Sequence, residues 1–284
     1  MSDIAWSPDS RYILAGCVDN AAIVLDARGA APRPLLLLGR HTDKVQGVAW
    51  DPAGAGVVTQ SIDRTVKVFA VPLESIDAPA TSGGRTSMAA LTRDAAGDVA
   101  PAFTLATRVM PPSTVATPSV PLAAGGRAAG ATDKHPLYLD DTLPSFFRRP
   151  AFTPDGALLL TPAGFFRASP DVQPTHTTYA FARGGRMGTP LAHFPGPRHG
   201  KPSVAVRVSP VVYTLRARGD GGGDVNNGVF TLPYRLVFAV ATLDSVFVWD
   251  TQSTAPIAMM TMFHCEKITD LSWCVGLGQR FAVV

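Results

Sequence analysis

Ten consecutive residues, 140–149, hold the most concentrated chemistry of the sequence and read DDTLPSFFRR. They combine two acids, two aromatics and two arginines: Asp140, Asp141, Phe146, Phe147, Arg148 and Arg149. Two carboxylates can act as an acid–base pair only when both converge on one substrate. In an extended strand, adjacent side chains point to opposite faces, so the two acids are not expected to converge. The aromatics beside arginines could instead stack on nucleic acid or anchor a protein partner, or simply pack a strand.

Other residue types with chemical potential lie in unsuitable contexts. His193 and His199 share a Pro/Gly loop with no third ligand nearby, so a zinc site is not expected there. Gly221 to Gly223 lack the strand–loop–helix context of a phosphate-binding loop. Serine, histidine and aspartate occur in no nucleophile-elbow pattern. The sequence therefore predicts a protein that is not an enzyme, with no catalytic residue, metal or cofactor.

The composition predicts a globular chain of many short strands. Of the 284 residues 46% are hydrophobic and 17% charged, and the 26 glycines and 25 prolines favour turns. A net charge of +3 without a continuous basic stripe does not predict direct DNA binding. The three cysteines, Cys17, Cys265 and Cys274, are expected to be reduced thiols of an intracellular protein. No apolar run reaches the roughly 18 residues of a membrane helix, and no secretory signal is seen, so a soluble protein without membrane contact is expected.

A repeat organises the elements that must position these residues. Residues 3–26 and 47–70 each read as an apolar strand ending in Trp, a Pro turn, a second apolar strand, an Asp turn and an alternating third strand. Equivalent residues lie 44 positions apart: Trp6 and Trp50, Pro8 and Pro52, Asp19 and Asp63. A period in the forties with this order is typical of β-propeller blades.

The same frame recurs with substitutions. Five first-strand positions are visible, at Trp6, Trp50, Phe152, Val208 and Trp273. His264 precedes Trp273 by nine residues, as His41 precedes Trp50. The positions assigned to the blade framework are Trp6, Asp19, His41, Trp50, Asp63, Asp244, Trp249, Asp250, His264 and Trp273.

This pattern resembles the WD40 repeat, in which a His, an Asp and a Trp hydrogen-bond within each blade. The resemblance implies an all-β WD40 propeller. About five blades are visible against about seven in a closed propeller, so the sequence predicts a partial propeller with exposed strand edges. We expect blades in residues 1–73 and 137–284, the first and last of them incomplete. Residues 74–136, rich in Ala, Thr, Gly, Pro and Ser, are predicted to form a disordered insertion.

Several segments resemble one WD40 family more specifically, the B subunits of chromatin assembly factor 1. The most discriminating is LYLDDTLPSFFRRPAFTPDGALLLTPAG at 137–164. The resemblance continues through 177–197, 203–215 and 232–252, and into HCEKITDLSW at 264–273. HTDKVQGVAWDP and SIDRTVKVF fit the middle blades of the same family. Relative to it, the chain is expected to lack the first blades and the tail beyond the propeller.

What this resemblance implies is a non-enzymatic nuclear scaffold. The family belongs to a complex that deposits histones H3–H4 on newly replicated or repaired DNA, so DNA contact is expected to be indirect. The expected partners are the large subunit, a second WD40 subunit and, through the complex, H3–H4. The family's tail is where the related chaperone Asf1 is engaged, so binding of Asf1 by this chain is doubtful.

The block at 140–149 is then interpreted as a surface strand and loop that meets a protein partner. Its acids would face basic segments, with Phe146 or Phe147 as an apolar anchor. Three alternatives remain. The chain could be the WD40 subunit of the replication-independent histone chaperone, or a ubiquitin-ligase substrate adaptor. A propeller hydrolase would need convergent acids or a metal cluster. Fold alone does not decide among them.

Overall fold

A computed structural model describes most of the chain. The described residues are 1–77, 91, 93–109, 134–168, 172–183, 189–196, 200–216, 230, 232–262, 265–274 and 280–283. The chain divides into two compact units. Unit 1 comprises Met1–Ala106 with Asp140–Thr142, and unit 2 comprises Thr107–Leu139 with Leu143–Val284.

Unit 1 holds two four-stranded antiparallel sheets, in each of which the strands lie in chain order. The strands of the first sheet are β1 (Asp3–Trp6), β2 (Tyr12–Gly16), β3 (Ala22–Asp26) and β4 (Arg33–Leu38). Those of the second are β5 (Val45–Trp50), β6 (Gly56–Ser61), β7 (Val66–Ala70) and β8 (Phe103–Leu105). A five-residue helix, α1 (Leu73–Asp77), follows β7.

The proline turn of the repeat fixes the register of the first hairpin. Ser7 Oγ donates to Asp9 across 2.5 Å and accepts the backbone N–H of Tyr12 at 2.9 Å, so the Ser-Pro-Asp sequence closes its own turn. Trp6 then pairs with Ile13, seven residues later. Trp50 pairs with Val57 at the same spacing. Residues 44 positions apart therefore occupy equivalent places in the two hairpins.

The core of unit 1 is made by the inward residues of both sheets. Tyr12, Leu14 and Val24 of the first sheet are fully buried, as are Val45 and Val57 of the second. Successive side chains of a strand point to opposite faces, so every second residue of β2 and β3 faces this core, whereas β5 and β6 are buried on both faces.

The described residues of unit 2 form two four-stranded and two two-stranded sheets. The two-stranded sheets pair β9 (Thr107–Val109) with β10 (Lys134–Pro136) and β19 (Leu271–Cys274) with β20 (Arg280–Val283). One four-stranded sheet comprises β11 (Ala151–Phe152), β12 (Leu158–Phe166), β13 (Thr175–Ala182) and β14 (Ala192–Pro195). The other comprises β15 (Ser203–Val208), β16 (Val237–Thr242), β17 (Ser245–Asp250) and β18 (Ala258–Thr261).

The turn chemistry of unit 1 recurs in unit 2. Thr153 Oγ1 donates to Asp155 across 2.5 Å and accepts the N–H of Leu158 at 2.9 Å. Aromatic side chains fill the core between its two larger sheets, where Phe194 packs edge-on against Phe238 at 4.8 Å and against Trp249 at 5.2 Å.

The sequence-based predictions of fold class and strand positions are confirmed. The fold is all-β, and the five predicted first strands are β1, β5, β11, β15 and β19. Their predicted reference residues lie at or next to the strand ends: Trp6, Trp50, Phe152, Val208 and Trp273. The number of blades stays a prediction.

The predicted insertion at 74–136 differs from the structure where that segment is described. Phe103–Leu105 forms β8, and Val99 and Leu105 are almost fully buried in unit 1. A few apolar residues, diluted in a segment of small polar ones, therefore suffice to order parts of it. Residues 78–90, 92 and 110–133 lie outside the described residues, and so does the predicted loop at 219–228. For them the prediction stays untested.

The three cysteines are free thiols; Cys17 is half-buried, whereas Cys265 and Cys274 are exposed. Within the described part of the chain, no helix has the length and apolar character needed to cross a membrane.

Candidate interaction surface

The aromatic part of the 140–149 block lies in unit 2, in the loop that leads into β11. Phe146 is 38% exposed, and its ring meets the half-buried ring of Phe147 edge to face at 5.7 Å and 86°. Leu143 is buried and anchors the start of this loop. The loop thus presents one aromatic side chain to solvent and supports it with a second.

Arg149 contacts the ring of Phe147. Its guanidinium carbon lies 4.5 Å from the centroid of the Phe147 ring, which is a cation–π contact. Its Nη1 also donates to Oδ2 of Asp270 at 2.6 Å. The same carboxylate oxygen accepts Nη2 of Arg207 at 2.8 Å. Asp270 therefore links the loop before β11 to strand β15.

Arg148 does not belong to an accessible surface, which corrects its assignment as a partner contact. The side chain is fully buried, and its Nη1 donates to the carbonyl oxygen of Leu139. A fully buried guanidinium that bonds to the backbone of its own chain is not available to a partner, so Arg148 has a structural role. The two adjacent arginines thus face different surroundings, as alternation along an extended segment requires.

The two acids of the block lie in unit 1 and differ in their partners. Asp140 Oδ2 accepts Nη2 of Arg64 at 2.7 Å, and its Oδ1 accepts the hydroxyl of Thr142 at 2.5 Å and the Thr142 N–H at 3.1 Å. The bonds from Thr142, followed by the charge of Arg64, hold the pKa of Asp140 below its usual value. Asp141 is exposed. Asp141 is thus the more exposed of the two acids.

His41 and Asp63 form a buried polar network in the second sheet of unit 1. His41 Nδ1 donates to Asp63 Oδ2 at 2.8 Å, and His41 Nε2 lies 2.7 Å from Oγ1 of Thr59. Burial alone would raise the pKa of Asp63, but the hydrogen bond and charge of His41, with bonds from Thr65 and Thr42, bring it far below its usual value. Phe69 occupies the place of the WD40 tryptophan and is buried.

The corresponding position of the β15–β18 sheet is built differently. Lys201, not a histidine, pairs with Asp244 at 2.8 Å. Trp249 is buried, and the carboxylate that follows it, Asp250, is fully buried. Asp250 Oδ2 accepts Nη2 of Arg216 at 2.5 Å and Nη1 of Arg235 at 2.9 Å. The Trp-Asp pair at the end of β17 therefore packs the core and joins two loop arginines.

The remaining framework positions vary in burial. Trp50 is buried and stacks on Tyr12 at 6.5 Å, whereas Trp6 is 53% exposed. Trp273 is half-buried and donates its Nε1–H to the carbonyl oxygen of Arg207 at 2.9 Å. Asp19 is exposed in the turn between β2 and β3. His264 lies outside the described residues, so its predicted framework role stays a prediction.

His193, one of the two histidines weighed as zinc ligands, is buried among other side chains. His193 is buried in β14, its ring stacked on Phe166 at 4.0 Å and its Nδ1 3.3 Å from Oγ1 of Thr177. His199 and Gly221 to Gly223 lie outside the described residues. Among the residues that are described, no group of three or more His, Cys, Asp or Glu side chains is placed to hold a metal ion.

Sequence reasoning missed the residues that hold the block in place, Asp270, Arg207 and Arg64. One signal was present for Asp270. It precedes Trp273 by three residues in DLSW, as Asp3 precedes Trp6 in DIAW. Both aspartates lie beside a neighbouring first strand: Asp3 Oδ2 accepts the backbone N–H of Val48 at 2.9 Å. A repeated acid at this position indicates a contact between adjacent sheets.

Comparison with known families assigns the chain. A family model described as the CAF1B/HIR1 beta-propeller domain matches residues 113–279, and the WD domain, G-beta repeat, matches 1–26 and 32–69. The B subunit of chromatin assembly factor 1 from Gallus gallus is 33% identical over 95% of the chain. The FAS2 homolog of the same assembly factor from Oryza sativa subsp. japonica is 35% identical over 95% of the chain. Protein HIR1 of Phaeosphaeria nodorum is 23% identical over 99%.

The chain spans 40%, 46% and 22% of the length of these three relatives, respectively. The predicted resemblance to the B subunits of chromatin assembly factor 1 and the WD40 architecture are both confirmed by these matches. Because the family match covers more than half of the 284 residues, this chain belongs to the CAF1B/HIR1 β-propeller family.

Proposed function

We propose that this chain is a non-enzymatic WD40 scaffold subunit of a histone H3–H4 chaperone complex, which assembles nucleosomes on newly replicated or repaired DNA in the nucleus. The observation that carries the proposal is similarity along almost the whole chain to relatives named as components of chromatin assembly factor 1. Fold alone would not support it, because propellers serve many functions.

The partners in this proposal are the large subunit and the second WD40 subunit of chromatin assembly factor 1. Histones H3–H4 would be reached through the complex, and DNA contact would be indirect. The mild net charge of +3 supports a protein partner, since direct binding to DNA phosphates is favoured by a strongly basic surface.

In unit 2 we assign Phe146 as the apolar anchor for the large subunit. Its ring is exposed but held at one edge by Phe147, so little side-chain entropy would be lost on binding. Aromatic anchors of this kind carry a large share of the binding energy of protein interfaces.

In unit 1 we assign Asp141 as an acidic contact for a basic segment of a partner. Asp141 is exposed, whereas Asp140 is already paired with Arg64 and Thr142. A rim charge of this kind influences the association rate and the choice of partner more than the affinity itself.

A scaffold role also fits the burial and bonding of the side chains that could otherwise act in catalysis. The carboxylate of Asp63 and the imidazole of His41 are buried and bonded to each other and to threonines. His193 packs against an aromatic ring. These groups stabilise strands, and a buried polar network that is satisfied in this way fixes one geometry.

The proposal is tested by affinity purification of a tagged, full-length product of this locus from nuclear extract. We expect recovery of a large acidic assembly subunit together with H3–H4. Recovery of a cullin-type ligase in their place would refute the proposal. The same purification with Phe146→Ser tests the anchor, with Phe103→Ser as the matched control, because Phe103 is an exposed phenylalanine on β8 of unit 1.

The second candidate is the WD40 subunit of the replication-independent histone chaperone. The matching family model, which is named for both CAF1B and HIR1, favours keeping it. Labelling of nascent DNA distinguishes the two candidates. A component of chromatin assembly factor 1 is expected to associate with chromatin containing newly labelled DNA, whereas the alternative protein is expected on chromatin regardless of replication.

A further inference from the structure

We propose that Asp270 is a positioning residue for the aromatic contact: acting through Arg149, it holds the Phe146–Phe147 pair in the orientation recognised by the large subunit. This inference rests on the proposed function, because it takes Phe146 as the anchor. It concerns a residue 121 positions away from the arginine it holds.

The first link is between the two aromatic rings. Phe146 makes a T-shaped contact with Phe147, and this geometry depends on the plane of the supporting ring. The loop backbone is also restrained, since Ser145 N–H donates to Leu143 O at 2.8 Å and Phe147 N–H to Ser145 Oγ at 3.2 Å. The orientation of the Phe147 ring is therefore the variable that decides where Phe146 points.

The second link is between Phe147 and Arg149. The guanidinium group lies over the Phe147 ring and is planar and rigid, so it can support the ring only when its own plane is fixed. The 2.6 Å bond from its Nη1 to Asp270 fixes it. Stacking and ion pairing thus use different parts of one guanidinium group.

The third link holds Asp270 itself. Its Oδ1 accepts the N–H of Leu271 at 2.7 Å, and its Oδ2 accepts Nη2 of Arg207 at 2.8 Å as well as the bond from Arg149. Arg207 is held in turn, because its Nε donates to the Leu271 carbonyl at 3.2 Å and its own carbonyl accepts Trp273 Nε1 at 2.9 Å. The carboxylate is thus bonded on both oxygens and cannot rotate without losing several bonds.

The backbone of Arg149 does not depend on Asp270. Arg149 N–H donates to Val204 O at 2.9 Å, and Val206 N–H donates to Arg149 O at 3.0 Å. Loss of the Asp270 charge would therefore leave the chain path of the loop intact and weaken only the side-chain bonds of Arg149 and Arg207. This separation makes a positioning role distinguishable from a purely structural one.

The test uses the full-length chain and the purified large subunit. Asp270→Asn keeps the shape and removes the charge, whereas Asp270→Glu keeps the carboxylate. Asp244→Asn is the matched control, because it removes a carboxylate from another ion pair in the same unit. We expect Asp270→Asn to weaken binding by about tenfold, while Asp270→Glu and Asp244→Asn remain within about twofold of wild type.

A double-mutant cycle with Phe147→Leu decides whether Asp270 acts through the aromatic pair. If it does, adding Asp270→Asn to Phe147→Leu causes little further loss of binding. Additive losses would overturn the inference, as would wild-type binding by Asp270→Asn.

A second readout does not need the partner. With 4-fluorophenylalanine at position 147, the fluorine resonance is expected to shift or broaden in Asp270→Asn and to stay unchanged in Asp244→Asn. An unchanged resonance in both variants would overturn the inference. If wild type fails to bind the large subunit, the proposed function fails, while this spectrum still reports whether Asp270 fixes the ring.

Discussion

His41 Nδ1 lies 2.8 Å from Oδ2 of Asp63, and their side chains are only 1% and 5% exposed. A pair held this far from water is strong only while both members are present, because removing one leaves the other unsatisfied in the interior. We expect Asp63→Asn to lower the free energy of unfolding by about 2–4 kcal/mol. Urea denaturation followed by circular dichroism measures this change.

Acid should remove the contribution of Asp63. Its pKa lies far below the ordinary value of 3.8 in the folded chain, although burial opposes this, because His41, Thr65 and Thr42 stabilise the charged form. A lowered folded-state pKa adds stability that is complete above the unfolded-state value and declines as pH falls below it. The difference in stability between wild type and Asp63→Asn should therefore shrink as pH falls below about 4. A difference that grows toward low pH would contradict this account.

Lys201 and Asp244 provide the contrasting case. They are also 2.8 Å apart, but their side chains are 54% and 49% exposed. Solvent and salt screen such a pair, so Lys201→Ala is expected to cost less than about 0.5 kcal/mol. Thermal melts at low and high salt measure the effect. A loss as large as that of Asp63→Asn would show that exposure does not govern these two pairs.

The sequence predicted the strands that carry local signals. The Ser-Pro-Asp and Thr-Pro-Asp turns set the hairpins at Trp6 and Phe152, because their hydrogen bonds form between residues at most five apart. Alternating residues then predicted the third strands, such as β7 and β17. The fourth strands were not located. Among them, β8 follows β7 only after more than thirty residues and carries no turn signal.

The location of the candidate site stays a prediction, and the sequence did not predict the architecture of the block at 140–149. The unusual composition of 140–149 drew attention to Phe146 and Asp141, which the structure leaves exposed. It could not separate buried Arg148 from Arg149, because a two-residue alternation has no fixed phase in a loop. Nor could it find Asp270, whose bond to Arg149 spans 121 residues and depends on the folded arrangement of three first strands.

Charge reversal at the two adjacent acids should have different consequences. Asp141→Lys is expected to change stability by no more than about 0.5 kcal/mol, since the side chain is exposed. Asp140→Lys should cost about 1 kcal/mol or more, because it places a second cation beside Arg64 and removes the acceptor for Thr142. Differential scanning calorimetry of the two variants checks the order.

Asp141→Lys also tests the proposed acidic contact with a partner. Asp141→Lys should slow association with the purified complex partners at low salt, with thermal stability unchanged. Surface plasmon resonance over a range of salt concentrations measures the association rate. If Asp141→Lys associates at the wild-type rate, Asp141 is not a contact, and if it melts early, its role is structural.

A glycine in β6 provides a final check on the packing of unit 1. A Cβ atom at Gly56 would lie 2.3 Å from the carbonyl oxygen of Phe69, which belongs to the paired strand β7 and cannot move independently. We therefore expect Gly56→Ala to lower the free energy of unfolding by about 2–3 kcal/mol, the cost of forcing apart a hydrogen-bonded pair of strands. Gly29→Ala is the control, because the nearest atom to its Cβ is 3.6 Å away in an exposed turn. Chemical denaturation of both variants should separate them clearly. Equal midpoints would mean that β6 and β7 approach less closely at this point than the structure indicates.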